Sequence, residues 1–196
     1  RGTYIFNSRD LCMIEHLPEL EDAGIDSLKI EGRMKTALYV ASVTRTYRKA
    51  IDALAESEEC YRAHLDWYRE EIRQCTYRRF TTGFYFGRPS AEDMVYESNT
   101  YVNESVYLGI AEAISDGQVM ITQRNKFCRG DRIEVMKPDG RNLPALVLSI
   151  RNEDQEEKES APHPKQRLWL KLRQEDGSAV PVSEGDLLRM HPGAAD

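Results

Sequence analysis

Near its amino terminus the sequence reads Gly24-Ile25-Asp26-Ser27-Leu28-Lys29-Ile30-Glu31-Gly32-Arg33-Met34-Lys35. Its apolar residues predict a short buried strand at 27–30, followed by charged residues, a glycine and an amphipathic helix. In parallel α/β folds, charged groups at the carboxyl end of a strand often lie at the functional site. Glu31, Arg33 and Lys35 are therefore candidate site residues, unless they only cap the next helix and pair with one another.

The flanking segments predict a β-α-β-α unit. An apolar run at 4–6 is typical of a strand, Ser8 is a good helix N-cap, and residues 34–54 repeat apolar positions every three or four residues, as an amphipathic helix does. Such units bury their strands in a parallel sheet, which two strands cannot build alone. We assign 1–57 to the last βα units of a truncated α/β domain. We expect the missing strands upstream of Arg1, because the chain does not begin with methionine.

A basic and aromatic stretch follows these helices. Residues 58–75 predict another helix, and we assign 58–105 to a helix and a linker. Within this region, aromatic residues are interleaved with Arg78, Arg79 and Arg88, in a chain that is acidic as a whole. The pattern suits RNA, because aromatic rings stack on bases and arginines pair with phosphates. The alternative is that the aromatic residues pin one domain onto another.

The remaining sequence changes to a period of two. Short alternating segments between residues 106 and 191 are separated by Asp-Gly turns at 116–117, 139–140 and 176–177. Because no helix signal lies among them, they predict a small antiparallel β-barrel or a sandwich. Residues 152–165, which are rich in glutamate and contain two prolines, predict a solvated and partly disordered loop.

Composition narrows the classes of function. With a net charge of −6 and 31% charged residues, the chain lacks the overall basicity of many nucleic-acid-binding domains. Any RNA contact must therefore be a local patch, and a DNA partner is not expected. No apolar run approaches the roughly 20 residues of a membrane span, and no signal pattern precedes the first predicted strand. We expect a cytoplasmic protein without membrane contact.

The residue types that carry chemistry form no metal or nucleophile pattern. The cysteines, Cys12, Cys60, Cys75 and Cys128, are scattered without C-x-x-C or Cys/His spacing, which predicts reduced core thiols. The histidines are isolated from ligand partners, and the nucleophile-elbow, zinc-helix, phosphate-loop and dinucleotide motifs are missing. We expect no metal or cofactor in this segment. The catalytic residues are unknown from the sequence, and Glu31 is a candidate only through its position after the predicted strand.

Several runs of sequence together resemble peptidase family U32, the collagenase-like protease family. They are residues 7–12, 27–35, 39–41, 47–52, 80–87, 125–127 and 130–131. The resemblance implies an α+β chain of two parts, the C-terminal end of a truncated TIM-like α/β barrel followed by the family's small antiparallel β-barrel at 106–191. It also implies an enzyme. Members are catalogued as peptidases of unknown catalytic type, and relatives hydroxylate a pyrimidine of tRNA or ribosomal RNA with an iron-sulfur cluster, held by cysteines upstream of this segment.

Three hypotheses about function stay open on the sequence. The chain is part of a peptidase whose nucleophile or metal-bound water lies upstream, part of an RNA-modifying enzyme, or a binding module whose barrel docks RNA or protein. In the second, Glu31, Arg33, Lys35 and the arginines at 78, 79 and 88 contact substrate phosphates and bases, and Glu31 holds an arginine or a substrate donor. We expect this segment to position or dock substrate without the complete active site. Its expected partners are the upstream part of its own barrel and a protein or RNA substrate.

Overall fold

Two compact units make up the chain, residues 1–104 and residues 105–196. The computed structural model of the protein describes residues 9–75, 79–90 and 104–191. Three features named above lie outside the described residues, namely the strand at 4–6, the cap Ser8 and the substrate candidate Arg78.

The first unit is mostly helical in its described residues. Its elements are β1 (Asp10–Leu11), α1 (Leu17–Asp22), α2 (Ala37–Glu56), α3 (Glu58–Ala63), α4 (Leu65–Arg73) and β2 (Phe80–Thr81). β1 and β2 pair in parallel. The helices bury a core formed by Met13, Ile14, Leu17, Leu20, Ala50, Tyr61, Tyr68 and Ile72. The Tyr61 hydroxyl donates to the carbonyl oxygen of Ile14 at 2.6 Å, which ties α3 to the segment before α1.

Local signals set the ends of these helices. α2 begins after Thr36, whose hydroxyl accepts a hydrogen bond from the Tyr39 amide at 3.2 Å. The amphipathic helix predicted at 34–54 is confirmed, but it begins three residues later than predicted. The helix predicted at 58–75 is instead two helices, because the chain leaves helical geometry at His64, with φ −110° and ψ 9°. Among the described helices, none combines the length and the apolar character needed to cross a bilayer.

The strand predicted at 27–30 is wrong. The segment has no β-pairing in the structure, and Ser27, Lys29 and Ile30 are exposed rather than buried. A strand is stabilised by the hydrogen-bonded ladder to its neighbours, and no described segment supplies that ladder here. The part of the first unit that the structure describes therefore contains one parallel strand pair, and the TIM-like barrel stays a prediction.

The second unit is a closed antiparallel barrel. Its strands are β3 (Val106–Ser115), β4 (Gln118–Thr122), β5 (Phe127–Cys128), β6 (Arg132–Met136), β7 (Asn142–Arg151), β8 (Glu157–Lys158), β9 (Ser160–Ala161), β10 (Arg167–Arg173) and β11 (Leu187–Met190). Six of them are joined in the order β10-β4-β3-β11-β6-β7, and β7 pairs back with β10 to close the sheet. The predicted small β-barrel is confirmed, and the sandwich alternative is excluded.

Alternation along the strands fills the barrel interior. In β10, Leu168, Leu170 and Leu172 are buried while the residues between them are partly or fully exposed. The first predicted Asp-Gly turn has positive φ at Gly117 (71°), as a tight hairpin requires. The loop predicted at 152–165 instead contains β8 and β9, because β8 pairs with the end of β7 and β9 pairs with β5.

Two Gly-Asp sequences in the barrel close their turns in the same way. Oδ2 of Asp131 accepts a hydrogen bond from the Cys128 amide at 2.7 Å, and Oδ2 of Asp186 accepts one from the Ser183 amide at 2.7 Å. Asp186 is buried and also lies 2.6 Å from the Nζ of buried Lys137. An ion pair inside the protein thereby fixes the second turn to Lys137, the residue that follows β6.

Candidate functional site

Predicted site residues from distant segments meet beside β1. The Asp10 amide donates to the carbonyl oxygen of Arg79 at 3.1 Å, and its Oδ2 lies 3.5 Å from Lys35 Nζ. Lys35 Nζ also lies 5.0 Å from the ring centroid of Tyr39, within the range of a cation–π contact. The structure thus places the Lys35 side chain and the Arg79 backbone beside Asp10.

Glu31 and Arg33 are arranged differently. Oε1 of Glu31 accepts a hydrogen bond from the Arg33 amide at 2.9 Å, and the Lys35 amide donates to the carbonyl oxygen of Gly32 at 2.9 Å. Both charged side chains are exposed. This geometry resembles the alternative in which the charges shape the entry to α2, and it assigns Glu31 no chemical step.

The loop after β2, residues 82–90, carries the aromatic part of the predicted basic stretch, and we call it the aromatic loop. Its rings lie largely in solvent, with Phe84 80% exposed, Tyr85 59% and Phe86 57%. Arg88, near the end of the loop, is also exposed. Large rings that stay this exposed within their unit are available to a partner. Rings exposed in this way can bind a partner molecule, and the alternative in which they pin one domain onto another stays open.

A cavity of about 330 Å³ lies beside β2 in the first unit. Its polar lining consists of Glu15, His16, Arg69, Arg73, Thr81 and Thr82. Arg69 Nη2 lies 2.5 Å from Glu15 Oε2, and this hydrogen bond lowers the pKa of the Glu15 carboxyl. The rings of His16 and Phe86 are 4.5 Å apart between centroids, so the aromatic loop borders the cavity.

Sequence reasoning missed this cavity. The sequence suggests that His16 is isolated, whereas the structure places its ring against the aromatic loop and its Nδ1 at 3.3 Å from Glu19 Oε1. Arg69 and Arg73 lie four residues apart on α4, so the sequence does place them on one helix face. Nothing in the sequence indicates that this face meets β2.

The thiols do not form a cluster site. Cys12 Sγ lies 3.8 Å from the Tyr47 hydroxyl oxygen, and burial raises the pKa of the Cys12 thiol. Burial also raises the pKa of Cys75 to about 12, so this thiol is protonated at neutral pH. Within residues 9–75, 79–90 and 104–191, no three or more His, Cys, Asp or Glu side chains are placed to hold a metal ion. These residues therefore do not fit an iron-sulfur cluster.

Family models match nearly the whole chain. Residues 1–95 match peptidase family U32, and residues 103–189 match the peptidase family U32 C-terminal domain. The chain belongs to peptidase family U32. Among solved structures, the C-terminal domain of a U32 peptidase from Geobacillus thermoleovorans is 26% identical, covers 43% of this chain and 98% of that chain, and has a TM-score of 0.37.

Similar U32 proteins have names of two kinds. The chain is 35% identical to tRNA hydroxylation protein P1 of Bacillus subtilis (strain 168), over 86% of this chain and 40% of that protein. It is 32% identical to tRNA hydroxylation protein P of Escherichia coli (strain K12), over 89% of this chain and 38% of that protein. It is 30% identical to a collagenase of Porphyromonas gingivalis, over 76% of this chain and 37% of that protein. The chain spans about two fifths of the length of these relatives.

Proposed function

We propose that this U32 chain is the substrate-docking, carboxyl-terminal part of a protein that hydroxylates tRNA. The observation that carries the proposal is that two relatives named as tRNA hydroxylation proteins match 86% and 89% of the chain, and hence parts of both units. In this role the chain contacts tRNA, and the catalytic centre belongs to a preceding part of the parent protein.

The aromatic loop supports contact with RNA. The exposed rings of Phe84, Tyr85 and Phe86 suit stacking on unpaired bases, and each stacked base contributes about 1–3 kcal/mol in single-stranded complexes. Arg79 and Arg88 lie on either side of these rings in sequence and are exposed, so their guanidinium groups can pair with phosphates. Arg78 belongs to the same predicted set.

The proposal includes the part of the parent protein that precedes this chain. There we expect the remaining strands of a TIM-like barrel and cysteines that hold an iron-sulfur cluster, which supplies one-electron chemistry when bound. Within the present chain, Lys35 beside Asp10 and the exposed Arg33 would meet anionic substrate. A protein with this substrate would work in the cytoplasm.

A peptidase is the second candidate. It is favoured by the family's name and by the similarity to the Porphyromonas gingivalis collagenase. A peptidase needs an activated nucleophile or a metal-bound water. The Cys12, Cys60 and Cys75 thiols have raised pKa values, which makes them poor nucleophiles at neutral pH. In this candidate, as in the first, the catalytic machinery would belong to the part of the parent protein that precedes this chain. Cleavage of a collagen-like peptide by full-length protein, persisting after removal of trace proteases, would favour this candidate.

Binding of bulk tRNA to the chain at about 50 and about 200 mM salt tests the docking proposal. Wild type is compared with Arg79→Gln/Arg88→Gln and with a charge-matched control, Arg48→Gln/Arg62→Gln, which alters exposed helical ion pairs. We expect binding that weakens with salt, and a slope of log affinity against log salt that falls by about 2 in the first variant alone. If wild type does not bind even at the lower salt, the chain does not dock tRNA.

A further inference from the structure

Two loops of the barrel unit are fastened together by the side chain of Gln123. They are residues 123–126, after β4, and residues 162–166, before β10, and we call them the clasped loops. The Nε2 of Gln123, which is fully buried, donates to the carbonyl oxygen of Ala161 at the edge of the second loop. The carbonyl oxygen of Gln123 accepts a hydrogen bond from the Lys165 amide at 2.7 Å. Backbone and side-chain bonds therefore hold the loops side by side.

The first clasped loop is also fixed to β3. The Arg124 amide donates to the carbonyl oxygen of Leu108 at 2.9 Å, and Nδ2 of Asn125 donates to the carbonyl oxygen of Tyr107 at 2.7 Å. Lys165, on the second loop, has a left-handed backbone conformation with φ 70°. Side chains that project from an ordered backbone lose less conformational freedom on binding. The clasped loops are thus a preorganised platform.

The clasped loops present cations without acidic partners. Arg124, Lys126 and Lys165 are exposed, neither loop contains an aspartate or glutamate, and in the described part of the barrel none of the three cations forms an ion pair. Neighbouring cations do have carboxylate partners, in the pairs Arg129–Glu159, Arg151–Glu157, Lys158–Glu156 and Arg167–Glu153. These pairs also neutralise most of the acidic segment 153–159.

We infer that the clasped loops bind the phosphate backbone of RNA through Arg124, Lys126 and Lys165. The inference rests on the proposed docking of tRNA, and it adds a contact in the barrel unit to the aromatic loop of the first unit. Clustered cations without carboxylate partners, in a chain of net charge −6, complement a polyanion, which releases condensed counterions when the cations bind it. Lysine and arginine contacts to phosphate fix position without reading sequence, so this surface binds the shape and charge of the RNA.

A matched pair of variants of the whole chain tests the inference. Lys126→Gln/Lys165→Gln removes two cations from the clasped loops, and Lys171→Gln/Arg173→Gln removes two exposed cations from β10 that also lack an ion pair in the described residues. With tRNA at about 50 mM salt, we expect the clasped-loop variant to lose about tenfold in affinity and its salt slope to fall by about 1.5–2. The control should stay within about twofold of wild type, because it leaves the phosphate contacts in place.

The outcomes separate this inference from the proposed function. If wild type binds and both variants bind equally well, the clasped loops are not a contact, while docking of tRNA stands. Equal loss of affinity in both variants is an effect of net charge and overturns the assignment to the clasped loops. Failure of wild type to bind overturns both proposals. Selective loss in Lys126→Gln/Lys165→Gln, with an unchanged unfolding midpoint, supports the inference.

Discussion

The two units pair the hydrogen-bonding groups of their strand backbones in different ways. In the barrel, β7 returns to β10, so the strands of the closed sheet have hydrogen-bonded neighbours on both sides. In the described residues of the first unit, β-pairing is confined to β1 and β2, which are two residues each, and helices provide most of the burial. A closed antiparallel sheet leaves no unpaired edge, whereas an isolated pair of two-residue parallel strands needs further strands or packed helices to be stable.

Exposure of apolar side chains follows the same division. Met34 is 92% exposed and Leu11 58% in the first unit, while Ile114, at 42%, is the exposed large hydrophobic residue of the barrel's described part.

Each unit contains one tryptophan, Trp67 on α4 and Trp169 on β10. Replacing one of them with phenylalanine leaves the other as a fluorescence reporter of a single unit, so the two units can be compared directly.

The largest expected effects come from buried ion pairs, one in each unit. Lys137 Nζ lies 2.6 Å from Asp186 Oδ2 in the barrel, and Arg45 Nη2 lies 2.5 Å from Glu71 Oε1 in the first unit. Removing one partner leaves the other charge buried and costs about 3–5 kcal/mol. We expect Asp186→Asn to lower the urea midpoint reported by Trp169 and to leave that reported by Trp67 unchanged.

An exposed ion pair of the same unit is the control. Asp139 and Arg141 pair at 2.7 Å with both side chains in solvent, so Asp139→Asn should cost much less stability than Asp186→Asn. Equal effects of Asp186→Asn and Asp139→Asn would contradict the role given to the buried pair. A loss of the Trp67 transition in Asp186→Asn would show that the two units do not unfold separately.

Truncating a buried side chain of the barrel and an exposed side chain of the first unit tests the difference in burial between the two units. Leu170 is fully buried in the barrel, so Leu170→Ala should lower the free energy of unfolding by about 2–5 kcal/mol through lost transfer energy and a cavity. Met34→Ala in the first unit should change it by less than about 0.5 kcal/mol, because the side chain already lies in solvent. Urea unfolding of both variants measures the difference. A large effect of Met34→Ala would mean that this side chain is covered in the protein in solution.

The barrel could be predicted because its signals are local. Leu168, Leu170 and Leu172 alternate with more exposed neighbours, and the same alternation sets both their burial and their register. The segment 27–30 has a comparable apolar content, but a strand of a parallel sheet is defined by its neighbours rather than by its own pattern. The prediction failed there because the described residues supply no neighbour.

The candidate site could be predicted only in part, for a related reason. Charge patterns identify Lys35 and Arg79, and the structure places the Lys35 side chain and the Arg79 backbone carbonyl beside Asp10. His16 and Arg69 line a cavity whose residues are scattered between positions 12 and 82, and chain separation hides such a set. The clasped loops depend on Gln123, whose role is visible only when its side-chain bonds are known.

Acid should weaken the barrel through Glu134. Its Oε2 lies 2.9 Å from Arg189 Nε and 3.3 Å from His191 Nε2. Burial alone raises the pKa of Glu134, but the hydrogen bond from His191 and the charge of Arg189 outweigh it and lower the pKa to about 2. Because this value is below the ordinary 4.5, the stabilisation is complete above about pH 4.5 and is lost as the pH falls toward 2.

The free energy of unfolding reported by Trp169 is measured at about pH 5 and about pH 3. We expect it to fall by roughly 1–3 kcal/mol across the whole pH range in which Glu134 takes up its proton. Glu134→Gln cannot titrate, so the pH dependence of its Trp169 transition should be shallower than that of wild type. Equal pH dependence in the two proteins would assign the acid sensitivity to other carboxyl groups.

The smallest effect tests the first unit alone. The Thr36 hydroxyl accepts the hydrogen bond of the Tyr39 amide at the start of α2, and loss of such a cap costs about 1 kcal/mol. Thr36→Ala should therefore lower the free energy of unfolding reported by Trp67 by about that amount. Thr36→Ser keeps the hydroxyl and should remain as stable as wild type. Neither change should move the Trp169 transition, because α2 belongs to the first unit. If Thr36→Ala and Thr36→Ser are equally stable, α2 begins without this cap in solution, and the entry at 31–36 is held by the turn at Glu31 instead.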